Sequence, residues 1–239
     1  MQLTVIYPAF NEEENVKHIP NELIRFLDKL GMTYEILIID DGSKDNTVNE
    51  VNKLRKKFSN IVLIRHKSNK GLGSAIRTGI KHARGEFLVT IDGDFTFHPS
   101  MIKSLIQAQK RENADCVIGS PLLAGYGKNV PKYRIFLSKS VNKIYQILMQ
   151  KKVTAVSQIF RLYKARDLKS LDLESKRFDI NAEILFKLVQ KNKTFYEIPA
   201  KLTLRKYGES KINNFKEIQN HIRLIFKIIK WKIFRSTSN

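Results

Sequence analysis

Short apolar runs of β-forming residues recur through the first half of this chain, and each gives way at once to polar, acidic or glycine-rich residues. Leu3 to Ile6 leads into Tyr7-Pro8-Ala9-Phe10-Asn11-Glu12, Ile36 to Ile39 into Asp40-Asp41-Gly42-Ser43, and Ile61 to Ile64 into Lys67-Ser68-Asn69-Lys70-Gly71-Leu72-Gly73. Phe87 to Ile91 leads into Asp92-Gly93-Asp94, and Cys116 to Ile118 into Gly119-Ser120-Pro121. Between the runs lie stretches such as Glu22-Leu23-Ile24-Arg25-Phe26-Leu27, whose apolar residues repeat at three and four, the period of a helix face. Strands alternating with helices predict an α/β fold with a largely parallel sheet flanked by helices. Ligands of such sheets bind outside the carboxyl ends of the strands, so these segments are expected to share one edge and one crevice.

Within that crevice the Asp92-Gly93-Asp94 segment carries the clearest chemistry. Two carboxylates two residues apart, where a buried strand emerges, can converge on a hard cation that takes oxygen ligands and shares its remaining positions with substrate phosphates. The plain alternative is an Asp-Gly turn. The Asp40-Asp41-Gly42-Ser43 segment likewise fits turn chemistry followed by a helix capped from Asp45 or Asn46. Gly71 and Gly73 permit close backbone approach before a helix expected to start near Ser74, whose N-terminus favours an anion. His98 reads as a turn residue ahead of a helix opened by Pro99.

A chain of 239 residues, 42% of them hydrophobic, is enough for one α/β domain with added elements. Its single cysteine, Cys116, excludes an intrachain disulfide framework and sits where a core filler is expected. The sequence starts directly in a strand with no leader pattern, which is the basis for expecting a cytoplasmic protein. No run approaches the roughly 18 to 20 apolar residues of a spanning helix.

The net charge of +20 is unevenly spread. Residues 120 to 166 contain no Asp or Glu, and residues 201 to 239 hold ten Lys or Arg against Glu209 and Glu217. In the latter region Phe215, Ile218, Ile222, Ile225, Ile229 and Ile233 recur at three and four, with Arg223, Lys227, Lys230 and Lys232 interleaved. Basic amphipathic helices bearing Trp and Phe suit a membrane interface with anionic lipid. Nucleic acid ranks below this, because the cations alternate with large aliphatics and no nucleic-acid motif is present. A helix packed on the domain with a solvated Lys face is the other reading.

Pro8-Ala9-Phe10-Asn11-Glu12, Asp40-Asp41-Gly42-Ser43, Lys70-Gly71-Leu72-Gly73, Asp92-Gly93-Asp94, Phe160-Arg161-Leu162-Tyr163 and Arg205-Lys206-Tyr207-Gly208-Glu209-Ser210-Lys211 occur here in one order. In that order and spacing the chain resembles family 2 glycosyltransferases of the GT-A (Rossmann-like) fold, most of all the dolichyl-phosphate mannose synthases and other polyprenyl-phosphate glycosyltransferases. The resemblance implies a GT-A domain over residues 1–212, divided into a nucleotide-sugar-binding half (1–123) and an acceptor-binding half (124–212). Residues 213–239 then form the basic amphipathic C-terminal helix. It implies donor contacts from Pro8, Phe10, Glu12, Asp40, Asp41, Gly71 and Gly93, and a Mg²⁺ or Mn²⁺ ion held by Asp92 and Asp94. Arg205, Ser210 and Lys211 would belong to a loop closing over donor and acceptor phosphates, with Arg205 and Lys211 in catalytic roles. Arg134, beside Lys132, is the further candidate for the acceptor phosphate.

Many inverting members carry an Asp five residues before the Phe of the Phe-Arg pair, where it serves as general base; Ala155 stands there in this chain. A lipid phosphate needs no such base, since its second pKa is about 6 and it is already anionic near neutrality. Gln158 replaces a usually small residue, and Pro121 follows Ser120 where the mannose synthases tend to have Arg. The expected activity is therefore metal-dependent, inverting transfer of a hexosyl group from a nucleotide sugar, GDP-mannose by resemblance, to a polyprenyl or dolichyl phosphate. The expected place is the cytoplasmic face of a membrane, with a transmembrane partner subunit as a possible companion and no nucleic acid. UDP-glucose or UDP-N-acetylhexosamine donors, a sugar-hydroxyl acceptor, and a catalytically silent membrane-bound subunit remain open alternatives.

Overall fold

Thr4 and Glu35 explain how two strands begin side by side: the Thr4 hydroxyl donates to Glu35 Oε1 at 2.7 Å, and both side chains are buried. The computed structural model, which describes residues 1–125, 132–203, 205, 207 and 214–236, places them on adjacent strands β1 (Leu3–Ala9) and β2 (Tyr34–Asp40). β3 (Ile61–Arg65), β4 (Phe87–Thr90), β5 (Cys116–Ser120), β6 (Arg161–Lys164) and β7 (Phe195–Pro199) complete a sheet that, among the described residues, has seven strands in the order β3-β2-β1-β4-β6-β5-β7. All pairs are parallel except those of β6, which runs antiparallel to both β4 and β5.

Helices cover both faces. On one lie α1 (Glu13–Lys17), a distorted helical stretch through Pro20–Ile24, α2 (Arg25–Leu27) and Asp28–Leu30, then α3 (Thr47–Lys57) and α5 (Ile102–Glu112). Their Val16, Ile19, Leu23, Leu27, Val51 and Leu105 pack with Leu3, Val5 and Tyr7 of β1. On the other face lie α4 (Leu72–His82), α7 (Lys132–Met149), α8 (Ala165–Lys169), α9 (Ile180–Gln190) and α10 (Asn214–Ser236), whose Ile76, Tyr145, Leu168, Leu185 and Ile228 pack with Ile6, Leu37 and Leu88. Alternate residues of one strand thus feed two cores, as a period of two requires. A short α6 (Pro121–Ala124) follows β5, with the Ser120 hydroxyl accepting from the Leu123 N–H.

The five anticipated strands are present, with β1 extended through Pro8 to Ala9 and β2 to Asp40. Cys116 is fully buried, and burial pushes its thiol up to about 12, so it is an inert core residue. His98 caps the turn at Pro99 by accepting from the Ser100 N–H. The helix expected near Ser74 begins earlier, at Leu72. Its N-terminus is also not free for an anion, because the Gly73 and Ser74 N–H groups donate to the Lys176 carbonyl at 2.9 and 3.4 Å. The close approach that Gly71 and Gly73 allow is therefore made by the chain itself: a Cβ on Gly71 would lie 2.4 Å from the Lys176 oxygen, and one on Gly73 2.5 Å from that of Ser175.

Candidate active site

At the carboxyl edge of the sheet the loops after β1, β2 and β4 meet. Pairing of β1 with β4 stops at Ile6 and Thr90, so β1 runs on alone past that side and tolerates Pro8, which lacks an N–H. The gap is filled by the turn after β4. Gly93 lies so close to the Pro8 carbonyl that a Cβ would come within 2.7 Å of it, and the Tyr7 hydroxyl donates to the Gly93 oxygen at 2.5 Å. Phe95, fully buried against Tyr7 with ring centroids 5.8 Å apart, takes a positive φ of 55° to turn the chain back. Such a conformation in a bulky residue costs on the order of 1 kcal/mol or more and is sustained only by its packing. The outcome is that Asp92, Gly93 and Asp94 border a cavity of about 430 Å³ together with Pro8, Phe10, Glu12, Asp41, Asn69 and Gly71.

The acidic side chains in and beside this cavity differ sharply in how they are held. Asp41 is saturated: its carboxylate accepts from the Lys70 N–H at 2.9 Å and the Gly71 N–H at 2.7 Å, and lies 2.6 Å from His66 Nδ1. It holds the Lys70-Gly71 loop in place at the cavity wall. Asp40 is completely buried, accepts from the Ser43 N–H and pairs with Arg65, and it does not line the cavity. Asp94 accepts from the Thr96 N–H at 3.1 Å and lies 3.7 Å from Arg205. Asp92 makes no hydrogen bond among the described residues; burial, and next the charge of Asp94, push its carboxyl well above the usual range against the pull of Arg205.

Arg205 arrives from the far end of the chain. Its guanidinium pairs with Glu12 and Asp94, and its Nε donates to the Tyr207 carbonyl at 2.7 Å. The Tyr207 ring stacks on His18 with centroids 3.9 Å apart. Asn15 bonds both Glu12 and the Tyr207 carbonyl, so α1 and the late loop are tied together over the acidic edge.

Of the sequence-derived site, the fold brings together Pro8, Phe10, Glu12, Asp41, Gly71, Asp92, Gly93, Asp94 and Arg205. Lys132 and Arg134 fall in the first turn of α7, but their side chains, like all of Ser210 and Lys211, lie outside the described residues. The Phe-Arg motif proves to be architectural: Arg161 is fully buried and donates to the carbonyls of Asn181, Ala155 and Val156. Ala155 is buried too, and the neighbouring carboxylate, Glu197, accepts from the Thr154 N–H and hydroxyl. Sequence reasoning missed Arg177 and Phe178, which line the same cavity together with Leu72 and Ala75.

The donor set fits a hard divalent cation. Two carboxylates border one open cavity, one lacks a hydrogen bond among the described residues, and the charge of Asp94 disfavours that of Asp92, a repulsion a cation would relieve. Among the described residues no cluster of three or more His, Cys, Asp or Glu side chains could hold a metal, so further ligands would be phosphate oxygens and water.

The sheet order and the acidic cleft at its carboxyl edge define a GT-A glycosyltransferase domain. Glucosyl-3-phosphoglycerate synthase from Mycobacterium tuberculosis, solved with Mn²⁺, UDP and glucosyl-3-phosphoglycerate, has the same fold, with a TM-score of 0.70 over 95% of this chain and 78% of that one at 16% identity. TarS 1-349 from S. aureus, solved with UDP-GlcNAc, matches with a TM-score of 0.63 over 96% of this chain and 66% of that one at 21% identity. The family model for glycosyl transferase family 2 matches residues 4–172, and the chain belongs to that family. The dolichol-phosphate mannosyltransferase of Pyrococcus furiosus is 34% identical over 237 residues, which are 97% of this chain and 65% of that protein. The chain thus spans just under two thirds of that relative's length.

Proposed function

We propose that this chain transfers a hexosyl group from a nucleotide sugar, GDP-mannose in first place, to a polyprenyl or dolichyl phosphate, in a reaction that inverts the anomeric centre and depends on Mg²⁺ or Mn²⁺. The observation that carries the reading is the pair Asp92 and Asp94, of which Asp92 makes no hydrogen bond among the described residues, in a cavity whose other walls offer nucleotide-compatible groups. An acceptor phosphate oxygen attacks C1, the bond from C1 to the β-phosphate oxygen breaks, and the electron pair leaves on the nucleoside diphosphate. Asp92 and Asp94 would hold the divalent ion, which when bound supplies positive charge against that of the leaving diphosphate. Arg205 is placed to exchange its carboxylate partners for phosphate oxygens, a charge-assisted contact of the same geometry. Asp41 fixes the loop against which base and ribose would rest. The buried Ala155 supplies no base, which suits an acceptor that is already an anion.

The acceptor's lipid tail calls for an apolar surface, and α7 and α10 present one. On α10 the side chains of Leu224 and Ile228 are buried, while Ile218, Ile222, Phe226, Ile229 and Ile233, at spacings of three and four, are exposed. On α7 Tyr145 and Met149 are buried, while Phe136 is 70% exposed and Ile144 and Ile147 stand beside it in helical register. Exposed Lys139, Lys143, Arg223 and Lys230 flank these stripes. Apolar stripes edged by cations fit an anionic bilayer surface. Among the described residues no helix is long and apolar enough to cross a membrane.

The test is transfer of label from a panel of GDP- and UDP-sugars into the organic phase, with polyprenyl phosphate, Mg²⁺ or Mn²⁺, and Asp94→Ala as control. Metal-dependent label in the lipid, lost in the control, is the expected result; label moving only to a sugar hydroxyl, or none at all, overturns the reading. For the surface, Phe136→Glu combined with Phe226→Glu is expected to abolish co-sedimentation with phosphatidylserine-containing vesicles without changing nucleotide binding.

A further inference from the structure

We infer that Arg177 receives the acceptor's phosphate, an inference that deepens the proposed function and rests on it for the identity of the acceptor. The cavity is lined by four acidic residues, Glu12, Asp41, Asp92 and Asp94, and by two arginines, Arg177 and Arg205. Arg205 is engaged by Glu12 and Asp94. The Arg177 guanidinium makes no hydrogen bond or salt bridge among the described residues, its charge is felt by the Glu217 carboxylate, and the residue is exposed at the cavity wall. A reaction between a nucleoside diphosphate sugar and a phosphate brings two anions into one space. The donor diphosphate has the carboxylate-bound cation and Arg205 to neutralise it, and the second anion needs a separate positive group.

The segment that carries Arg177 is held too firmly to be an incidental loop. The Lys176 carbonyl accepts from the Gly73 and Ser74 N–H groups, and the Arg177 carbonyl accepts from the Ile180 N–H. The fully buried carboxylate of Glu183 accepts from the Glu174 N–H at 3.0 Å and the Ser175 N–H at 2.7 Å, and Glu217 accepts from the Phe178 N–H at 3.3 Å. Three helices, α4, α9 and α10, thus fix the backbone on either side of Arg177. Its stem lies against Gly71, where a Cβ would come within 3.3 Å of the Arg177 Cγ. A firmly held backbone limits where the planar guanidinium can reach, and such a fork can offer two donors to two oxygens of one phosphate.

The test is calorimetric binding of farnesyl phosphate, a short soluble polyprenyl phosphate, to the full chain saturated with nucleoside diphosphate and Mg²⁺, with farnesol as the uncharged control. Arg177→Ala is expected to weaken farnesyl phosphate binding about 10- to 100-fold, and Arg177→Lys to recover part of that loss, as for removal of one charge-assisted contact. The KM for the lipid acceptor should rise in parallel, while the KM for the donor, nucleotide affinity and melting temperature stay as in the wild type. Unchanged farnesyl phosphate binding in Arg177→Ala, a loss confined to nucleotide affinity, or no binding by the wild type would each overturn the assignment. Binding that depends on Arg177 without any sugar transfer would leave the assignment standing and defeat the proposed function instead.

Discussion

Two acid pairs stand at strand ends on the same edge of the sheet, Asp40-Asp41 after β2 and Asp92-Gly93-Asp94 after β4, and their fates are opposite. The first pair is taken up by the protein: Asp41 satisfies two backbone N–H groups and His66, and Asp40 accepts from the Ser43 N–H through one oxygen and forms an ion pair with Arg65 through the other. The second pair is left nearly bare beside a cavity, with one backbone hydrogen bond and one arginine between them. A carboxylate that accepts several hydrogen bonds stabilises the fold, whereas one held against a like charge with few hydrogen bonds is a cost the fold bears. The cost is borne where a ligand can remove it.

The largest effect that would sharpen this contrast is Asp92→Asn or Asp94→Asn. Transfer should fall by about 10³-fold or more, with a melting temperature no lower than that of the wild type; thermal unfolding followed beside activity checks both halves. A large loss of stability would break the contrast. Asp41→Ala should behave in the reverse sense, destabilising by about 2–4 kcal/mol because it strands two N–H groups and a histidine. Denaturant titration reads this, and activity should decline only as the Lys70-Gly71 loop loosens. The smallest effect concerns Glu183, a third acid spent on structure. Burial would raise its carboxyl, but Lys187 and the Ser175 and Glu174 N–H groups outweigh that and hold it below the usual range. Its stabilisation is therefore present above the unfolded carboxylate pKa of about 4.3 and is lost as pH falls through the lower folded value. Glu183→Gln should cost about 1–2 kcal/mol at neutral pH, and the gap from wild type should close on acidification. A gap that stays constant with pH would show that Glu183 acts by shape alone.

Much of this was legible in the sequence because strand, turn and chemistry coincide in short segments. The run from Phe87 to Ile91 and the acids after it identify both a strand and a cavity wall. The two acid pairs look alike in sequence, however, because the groups that saturate Asp41 come from His66 and the Lys70-Gly71 loop. β6 was hidden by Arg161, a charge in a strand that is fully buried only because three carbonyls receive it. β7 was hidden by an alternation broken at Glu197 and ended by Pro199, residues that suit an edge strand. Missing β6 also conceals Arg177. Since β6 runs antiparallel, α8 begins at the opposite edge of the sheet, and the chain must return along α4, where Arg77 bonds the Leu173 carbonyl, before reaching Gly71 and Gly73. Only that return brings residue 177 to the cavity.

Glu217 belongs to α10, the helix with the exposed apolar stripe, and yet its carboxylate holds the Phe178 N–H at the cavity wall. One helix therefore carries an apolar face on its outer side and a hydrogen bond to the cavity wall near its first turn. Whatever fixes the position of α10 also fixes that of the Phe178 N–H, and with it the wall that carries Arg177.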